Sequence, residues 1–541
     1  MNIFTTRMLL LTAALCFFIR AFPQQIPHLY KNTHGAMTLI ADGKPFLMLA
    51  GELGNSSASS LETMRPIWPA LHQMHLNTVL VPVYWELLEP EENKFDFTLV
   101  DSMITAAESH ELKVVFLWFG SWKNSMSCYA PLWVKKDQER FPRARKADGT
   151  PVEIMTPFSD ENCRADTKAF TALMKRIKQL DPSGHTVIMI QVENEIGMIP
   201  EARDHSSFAE KAYLEKVPEE LINYLNKNKS VISTEILDLW TKQGMKTSGT
   251  WEEVFGKTPG AEEIFMAWYF AAYTNKVAAE GKKIHPLPMY VNAALIRPGY
   301  KPGQYPSAGP LPHLIDVWRA AAPDIDFLSP DIYFRNFIEW AGKYDLPGNP
   351  LFIPEVGNDQ SMAQAFYAFG KHNAMGYSPF SIESVRNPSD NQVTRAYRLL
   401  GQIAPLIIEN KGKGTMDGFL LDSAKHTVRI TLGNYVFTIK HEYSWAYATK
   451  AEGATPRNGG LIIMLNPDEF LIAGSGVIVT FETVAKEGSV AGIGSLDEVE
   501  LVNGKWVTGR RMNGDQNHQG RHMHLPGGDF TMQRAVLYTY K

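Results

Sequence analysis

The chain has 541 residues, of which 45% are hydrophobic, 21% charged and 11% aromatic, and its 53 Lys and Arg stand against 58 Asp and Glu for a formal charge of -5. That composition excludes a disordered or collagenous protein. With no block of like charge it also lacks the basic footprint needed for nucleic acid or an anionic membrane, and points to a small or neutral partner.

Residues 1–24 read as a secretory signal peptide: Met1 to Arg7 is a basic start, Met8 to Ile19 an apolar run, and Arg20-Ala21-Phe22-Pro23 ends it. The run is shorter than the roughly 20 residues a spanning helix needs, and no later run is long enough to cross a membrane. The expectation is a mature protein in the periplasm or outside the cell, cleaved near Ala21 to Gln25. Cys16 follows Leu15, where a lipidation signal wants a small residue, which argues against a lipid anchor. Cys128 and Cys163 remain, either as a disulfide or as two free thiols.

From residue 25 to 405 short apolar runs alternate with helical stretches, the pattern of parallel strands joined by helices. The candidate strands are Phe46 to Leu53, Thr78 to Trp85, Lys113 to Phe119, Thr186 to Glu193, Met289 to Ala294, Asp326 to Tyr333, Leu351 to Val356 and Met375 to Ile382. Between the third and fourth, Phe170, Leu173, Met174, Ile177 and Leu180 recur at helical spacing, with Asp166 as the expected cap. This predicts a (β/α)8 barrel with its longest insertion over Met198 to Pro288. A doubly wound sheet is disfavoured, because Gly51-Glu52-Leu53-Gly54-Asn55 has the wrong spacing for a phosphate-binding turn. Residues 406–541 change character. Runs at Thr427 to Leu432, Tyr435 to Lys440, Leu461 to Leu465, Gly476 to Glu482 and Ala535 to Tyr540, separated by Gly, Asn and Asp, predict an all-β, sandwich-like domain, with Glu452 to Gly460 as a loop.

In such a barrel the reactive groups project from the C-terminal strand ends. Carboxylates stand at several: Glu193 and Glu195 after strand four, Glu355 after strand seven, and Glu52, Glu86 and Glu383 after strands one, two and eight. Strands four and seven face each other across the mouth. Two Glu there are placed for glycosidic hydrolysis, in which one carboxylic acid protonates the leaving oxygen and one carboxylate attacks the anomeric carbon or activates water. Burial and mutual repulsion would keep one of them protonated near neutral pH, and no cofactor is required.

Several segments carry a family resemblance. Asn77-Thr78-Val79, Val83-Tyr84-Trp85-Glu86-Leu87-Leu88-Glu89-Pro90 and Phe95-Asp96-Phe97 resemble the strand-two signature of β-galactosidases of glycoside hydrolase families 35 and 42. Gln191-Val192-Glu193-Asn194-Glu195-Ile196-Gly197 is similar to the family 35 acid/base motif. The resemblance implies Glu195 as general acid/base, Glu355 as nucleophile, Glu193 outside the pair and Asn194 on the sugar 2-hydroxyl. It also implies that Tyr333 holds the nucleophile, with Asp331 as the alternative. Strand one (Leu49-Ala50-Gly51-Glu52-Leu53) and strand three (Leu117 to Asn124) depart from the usual family 35 sequences, at positions where the sugar hydroxyls are read. Asn466 to Gly476 resembles a β module appended to a bacterial subgroup.

Sugar rings present apolar faces that stack on aromatic side chains, which makes Trp85 and Trp122 candidate walls of the site, with Glu52, Glu86 and Asn124 for hydroxyl contacts and Trp118 as core. Glu252, Glu253, Glu262 and Glu263 read as a solvated helix face. His518, His522 and His524 are a possible ligand set, but carboxylates and cysteines at metal spacing are missing, so no metal is expected. No G-x-S-x-G elbow is present. The expected protein is a secreted retaining exo-glycosidase acting on a carbohydrate, most simply a β-galactosidase. A β-glucosidase, an α-L-arabinopyranosidase and an inactive glycan-binding barrel are the alternatives.

Overall fold

The computed structural model describes residues 26–357, 362–442, 458–484, 488–512 and 514–541. The expected signal peptide and residues 452–457 of the expected loop lie outside them, while 458–460 begin a strand. Among the described residues no helix is long and apolar enough to cross a membrane.

Eight parallel strands close into a barrel in sequence order: Met48–Glu52, Thr78–Tyr84, Lys113–Lys123, Val187–Asn194, Met289–Ala294, Phe327–Ile332, Phe352–Val356 and Gly376–Pro379. Nearly every strand residue is buried, as strands covered by an outer ring of helices must be, which is why they read as continuous apolar runs. The helix before strand four spans Asp160–Leu180 and is capped by Ser159, whose side chain accepts from Asn162 N. Asp166 is therefore not the cap. It lies buried in mid-helix and accepts hydrogen bonds from Trp118 Nε1 (2.8 Å), Ser121 Oγ (2.6 Å) and Tyr273 Oη (3.2 Å). A polar residue ahead of a periodic apolar run mimics a cap; here it ties the helix to strand three.

Three short antiparallel strands unforeseen in the sequence precede the barrel, at His28–Lys31, Met37–Ala41 and Lys44–Phe46. The last two turn at Asp42-Gly43, both with positive φ, as a two-residue hairpin requires. The insertion after strand four folds into helices at Ser207–Tyr213, Glu219–Lys227, Thr234–Lys242 and Trp251–Phe255 before the long helix Pro259–Ile284. Glu263 on that helix is buried rather than solvated, because it accepts from Tyr305 Oη (2.8 Å), Ala308 N (3.1 Å) and His313 Nε2 (2.9 Å).

The helix Gln392–Asn410 runs across the expected domain boundary into an all-β sandwich. Its six-stranded sheet faces a four-stranded one. Alternation along the strands sends Phe419, Leu421, Ile462, Phe470 and Ile472 into the sandwich interior, while Leu420, Leu461, Ile463 and Leu471 join the core of the barrel. His524 Nε2 bonds Glu442 Oε2 at 2.9 Å. Cys128 and Cys163 are both free thiols, the first exposed and the second buried.

Candidate active site

Strand three is longer than its apolar run suggests. Trp118 pairs with Val192, but the next registered pair is Lys123 with Asn194, so five residues of strand three oppose two of strand four. Bulges of this kind re-aim side chains near functional sites. Here it brings Lys123 and Asn124 to the mouth, beside the chain of Glu193, Asn194 and Glu195. Asn124, Ser125, Glu193 and Glu195 all hold positive φ, a concentration of strained backbone characteristic of active sites. The two segments are laced together by Asn124 N to Asn194 O (3.2 Å), Ser125 N to Glu195 O (3.1 Å) and Trp122 N to Glu193 Oε2 (2.7 Å). Gly120 is required at the crossing: a Cβ there would lie 2.3 Å from Trp118 Nε1 and 2.7 Å from Glu193 Oε1.

Carboxylate oxygens of Glu195, Asp331 and Glu355 all lie within 4.8 Å of one another, and all three residues are buried. Glu355 ends strand seven. It accepts from Tyr333 Oη (2.7 Å) on one oxygen and from Asn194 Nδ2 and Asn292 Nδ2 (both 3.4 Å) on the other. Asn292, in the middle of strand five, also donates to Asp331 Oδ2 at 2.7 Å and accepts from Glu195 N at 2.9 Å. The Asn124 amide donates to Glu195 Oε2. Burial, and then the charge of Glu355, push the Glu195 carboxyl up to about 7, while Lys123 pulls it back. Burial followed by the neighbouring Glu355 raises Asp331 well above the carboxylate range. For Lys123, burial favours the neutral amine but is outweighed by the surrounding carboxylates, Glu355 first and then Glu195, which keep it cationic.

These residues open on a cavity of about 510 Å³, lined by Lys123, Asn124, Glu195, Asp331, Tyr333 and Glu355 at its floor, a volume typical of small-ligand sites. Arg297, Tyr300, Gln304 and Tyr305 from the loop after strand five form its wall, whereas the long insertion after strand four contributes Ile199 alone among the described residues.

Of the residues singled out in the sequence, the structure brings Glu195, Glu355, Asn194, Tyr333 and Asn124 together, and places four others elsewhere. Trp85 and Trp122 are fully buried and wall no site. Trp85 Nε1 bonds Glu89 at 3.1 Å, and Trp122 packs against Phe270 and Tyr273 with its Nε1 on Met155 O at 3.0 Å. Glu86 points away from the cavity toward Lys135, 3.6 Å off. Glu52 is completely buried and does not line the cavity. Lys123 and Asn292 were missed. The signal for each was a polar residue ending or interrupting an apolar strand.

Residues 38–267 match the family described as Glycosyl hydrolases family 35, and residues 393–524 match a Domain of unknown function, DUF5597. The first match takes in Asn194 and Glu195 but ends before Glu355. No curated protein sequence matches. Among solved structures, the β-galactosidase from Bacillus circulans sp. alkalophilus is similar with a TM-score of 0.50 and 10% identity, over 91% of this chain and 99% of that one. A catalytic mutant of a GH42 β-galactosidase from G. stearothermophilus gives 0.50 and 10%, over 91% and 98%. The cold-adapted β-galactosidase from Rahnella sp. R3 gives 0.45 and 15%, over 67% of this chain and 57% of that one, so the chain spans less than two thirds of that enzyme. At such identities the structural likeness shows the fold, a barrel with a β module behind it. The family match, on a barrel of that fold, marks the class as glycoside hydrolase.

Proposed function

We propose that the protein is a retaining β-glycosidase that removes terminal β-linked galactose from an oligo- or polysaccharide. The observation that carries the mechanism is the spacing of Glu195 and Glu355, whose oxygens lie within 4.8 Å. Retaining enzymes hold their carboxyl groups roughly 5 to 5.5 Å apart, and inverting ones leave room for a water at roughly 6.5 to 9.5 Å. A Glu355 oxygen, oriented by Tyr333, Asn194 and Asn292, attacks the anomeric carbon. The Glu195 proton passes to the glycosidic oxygen, and the aglycone departs as an alcohol. Ionised Glu195 then takes a proton from water, whose oxygen displaces Glu355 and restores the β configuration. A Glu195 carboxyl near 7 suits both roles, since both its protonated and its ionised form are accessible near neutral pH. The family 35 match supports galactose as the sugar, and the basic and apolar start of the chain supports export.

Hydrolysis of p-nitrophenyl β-D-galactoside, β-D-glucoside and α-L-arabinopyranoside tests the reading, with Glu355→Gln as the blank. Preference for the galactoside is expected. Turnover that survives Glu355→Gln unchanged would remove the nucleophile from the scheme. For Glu195→Ala, azide should restore turnover of an activated aryl galactoside and yield the β-galactosyl azide; an α product would exclude retention.

A further inference from the structure

Strand one ends in Glu52, and no step above uses it. Its side chain is completely buried. Neither carboxyl oxygen has a hydrogen-bond partner among the described residues, and strand one approaches strand seven closely enough for the charge of Glu355 to act on it. A bare carboxylate enclosed this way, against a second carboxylate, is the least favourable state a carboxyl can adopt; taking up a proton removes the charge and supplies the missing donor. The groups facing it agree. From strand three comes Lys123, from strand four Glu195, from strand five the Tyr290 hydroxyl, from strand six Asp331 and from strand seven Glu355. Only one is a cation, too few to neutralise a full set of ionised acids.

We propose that Glu52 is a positioning residue that stays neutral through the catalytic cycle, its carboxyl O–H donating to the Glu355 carboxylate from strand one. Glu355 is then gripped on more than one side. Tyr333 holds it beside the cavity, Asn194 and Asn292 hold it from strands four and five, and Glu52 holds it from strand one. The proton is not transferred: it remains on Glu52 while Glu355 becomes an ester and is released again. Lys123 supplies the positive charge that balances the one ionised carboxylate.

The inference rests on Glu355 being the nucleophile, and Glu52→Gln tests it. The amide replaces the O–H donor with an N–H donor in nearly the same place, so the variant should keep kcat within about tenfold of wild type, whereas Glu52→Ala, with no donor, should lose about a hundredfold in kcat with little change in KM. The pH profile of Glu52→Gln should stay in place. If Glu52 carried a charge, its removal would move the alkaline limb, set by Glu195, to lower pH by roughly a unit or more, and that result overturns the proposal. So does Glu52→Gln as inactive as Glu355→Gln, or Glu52→Ala with full kcat. Because Glu52→Ala opens a cavity, its melting transition is checked first; if it fails to fold, Glu52→Gln decides. An infrared difference spectrum, wild type minus Glu52→Gln near pH 7, needs no substrate. It should contain the carbonyl stretch of a neutral carboxylic acid. Carboxylate bands in its place overturn the proposal even if every glycoside in the panel proves inert, an outcome that would instead count against the proposed function.

Discussion

Replacing Lys123 with Met keeps the aliphatic stem in its buried slot and removes a single charge. The ammonium favours the ionised form of Glu195, so without it the proton should be held to higher pH. The size follows from Coulomb's law. Lys123 makes no ion pair within 4.0 Å among the described residues; at roughly 5 Å and an effective dielectric of about 20, a unit charge contributes about 3 kcal/mol, or about two pH units. Relaxation around the vacated charge should reduce this to about one unit. The assay is the alkaline limb of kcat/KM for an aryl β-galactoside, which reports the proton donor in the free enzyme. In wild type the limb should fall near the value of about 7 set by burial and Glu355, and in Lys123→Met about one unit higher. The height of the profile is not the readout, since Lys123 also lines the cavity. A limb that stays in place, or moves to lower pH, refutes the assignment of Lys123 as the group opposing proton retention on Glu195.

Three further outcomes are expected. Glu263→Ala leaves Tyr305, the Ala308 N–H and His313 without their shared acceptor; it should cost about 2–4 kcal/mol in urea unfolding and raise KM, because Tyr305 lines the cavity wall. Gly120→Ala should destabilise by at least about 2 kcal/mol, read as a lower melting temperature, because the new methyl meets Trp118 and Glu193. Lys411 is fully buried without a partner for its Nζ among the described residues, and burial lowers it to about 7 from 10.5. Between those values the unfolded chain binds a proton that the folded one does not, so stability should rise with pH across that window. Lys411→Met should then gain up to about 5 kcal/mol near pH 7 and almost nothing above pH 10.5, with pH-dependent denaturation as the check.

The strands of the barrel were legible because parallel strands covered on both faces need apolar residues at every position, and apart from strand three those runs stop within one to three residues of where the strands do. Strand three shows where this fails. Its apolar run stops at Phe119, while the strand continues through Gly120-Ser121-Trp122-Lys123 around a bulge whose shape depends on strand four. Lys123 therefore went unread, and Trp122 was assigned to the site although its ring turns inward onto Phe270 and Tyr273. Glu195 and Asn194 were found because they sit at a strand end in a short, dense motif. Glu52 also sits at a strand end, but one residue of register decides whether such a side chain meets solvent or the barrel interior. Glu263 shared its stretch of acidic sequence with exposed neighbours; only Tyr305 and His313, some 40 to 50 residues on, account for its burial.

The six-stranded sheet of the C-terminal domain has no solvent face to spare over much of its area: one side fills the sandwich, and the other carries Leu420, Leu461, Ile463 and Leu471 into the barrel. A catalytic fragment cut after helix Gln392–Asn410 would bare the barrel side of that contact, and an isolated β domain would bare a row of leucines and isoleucines, each an adhesive surface of the kind that drives aggregation. The two parts cannot be traded between enzymes like beads on a string. Expression, purification and any transplant of the active site call for the whole chain.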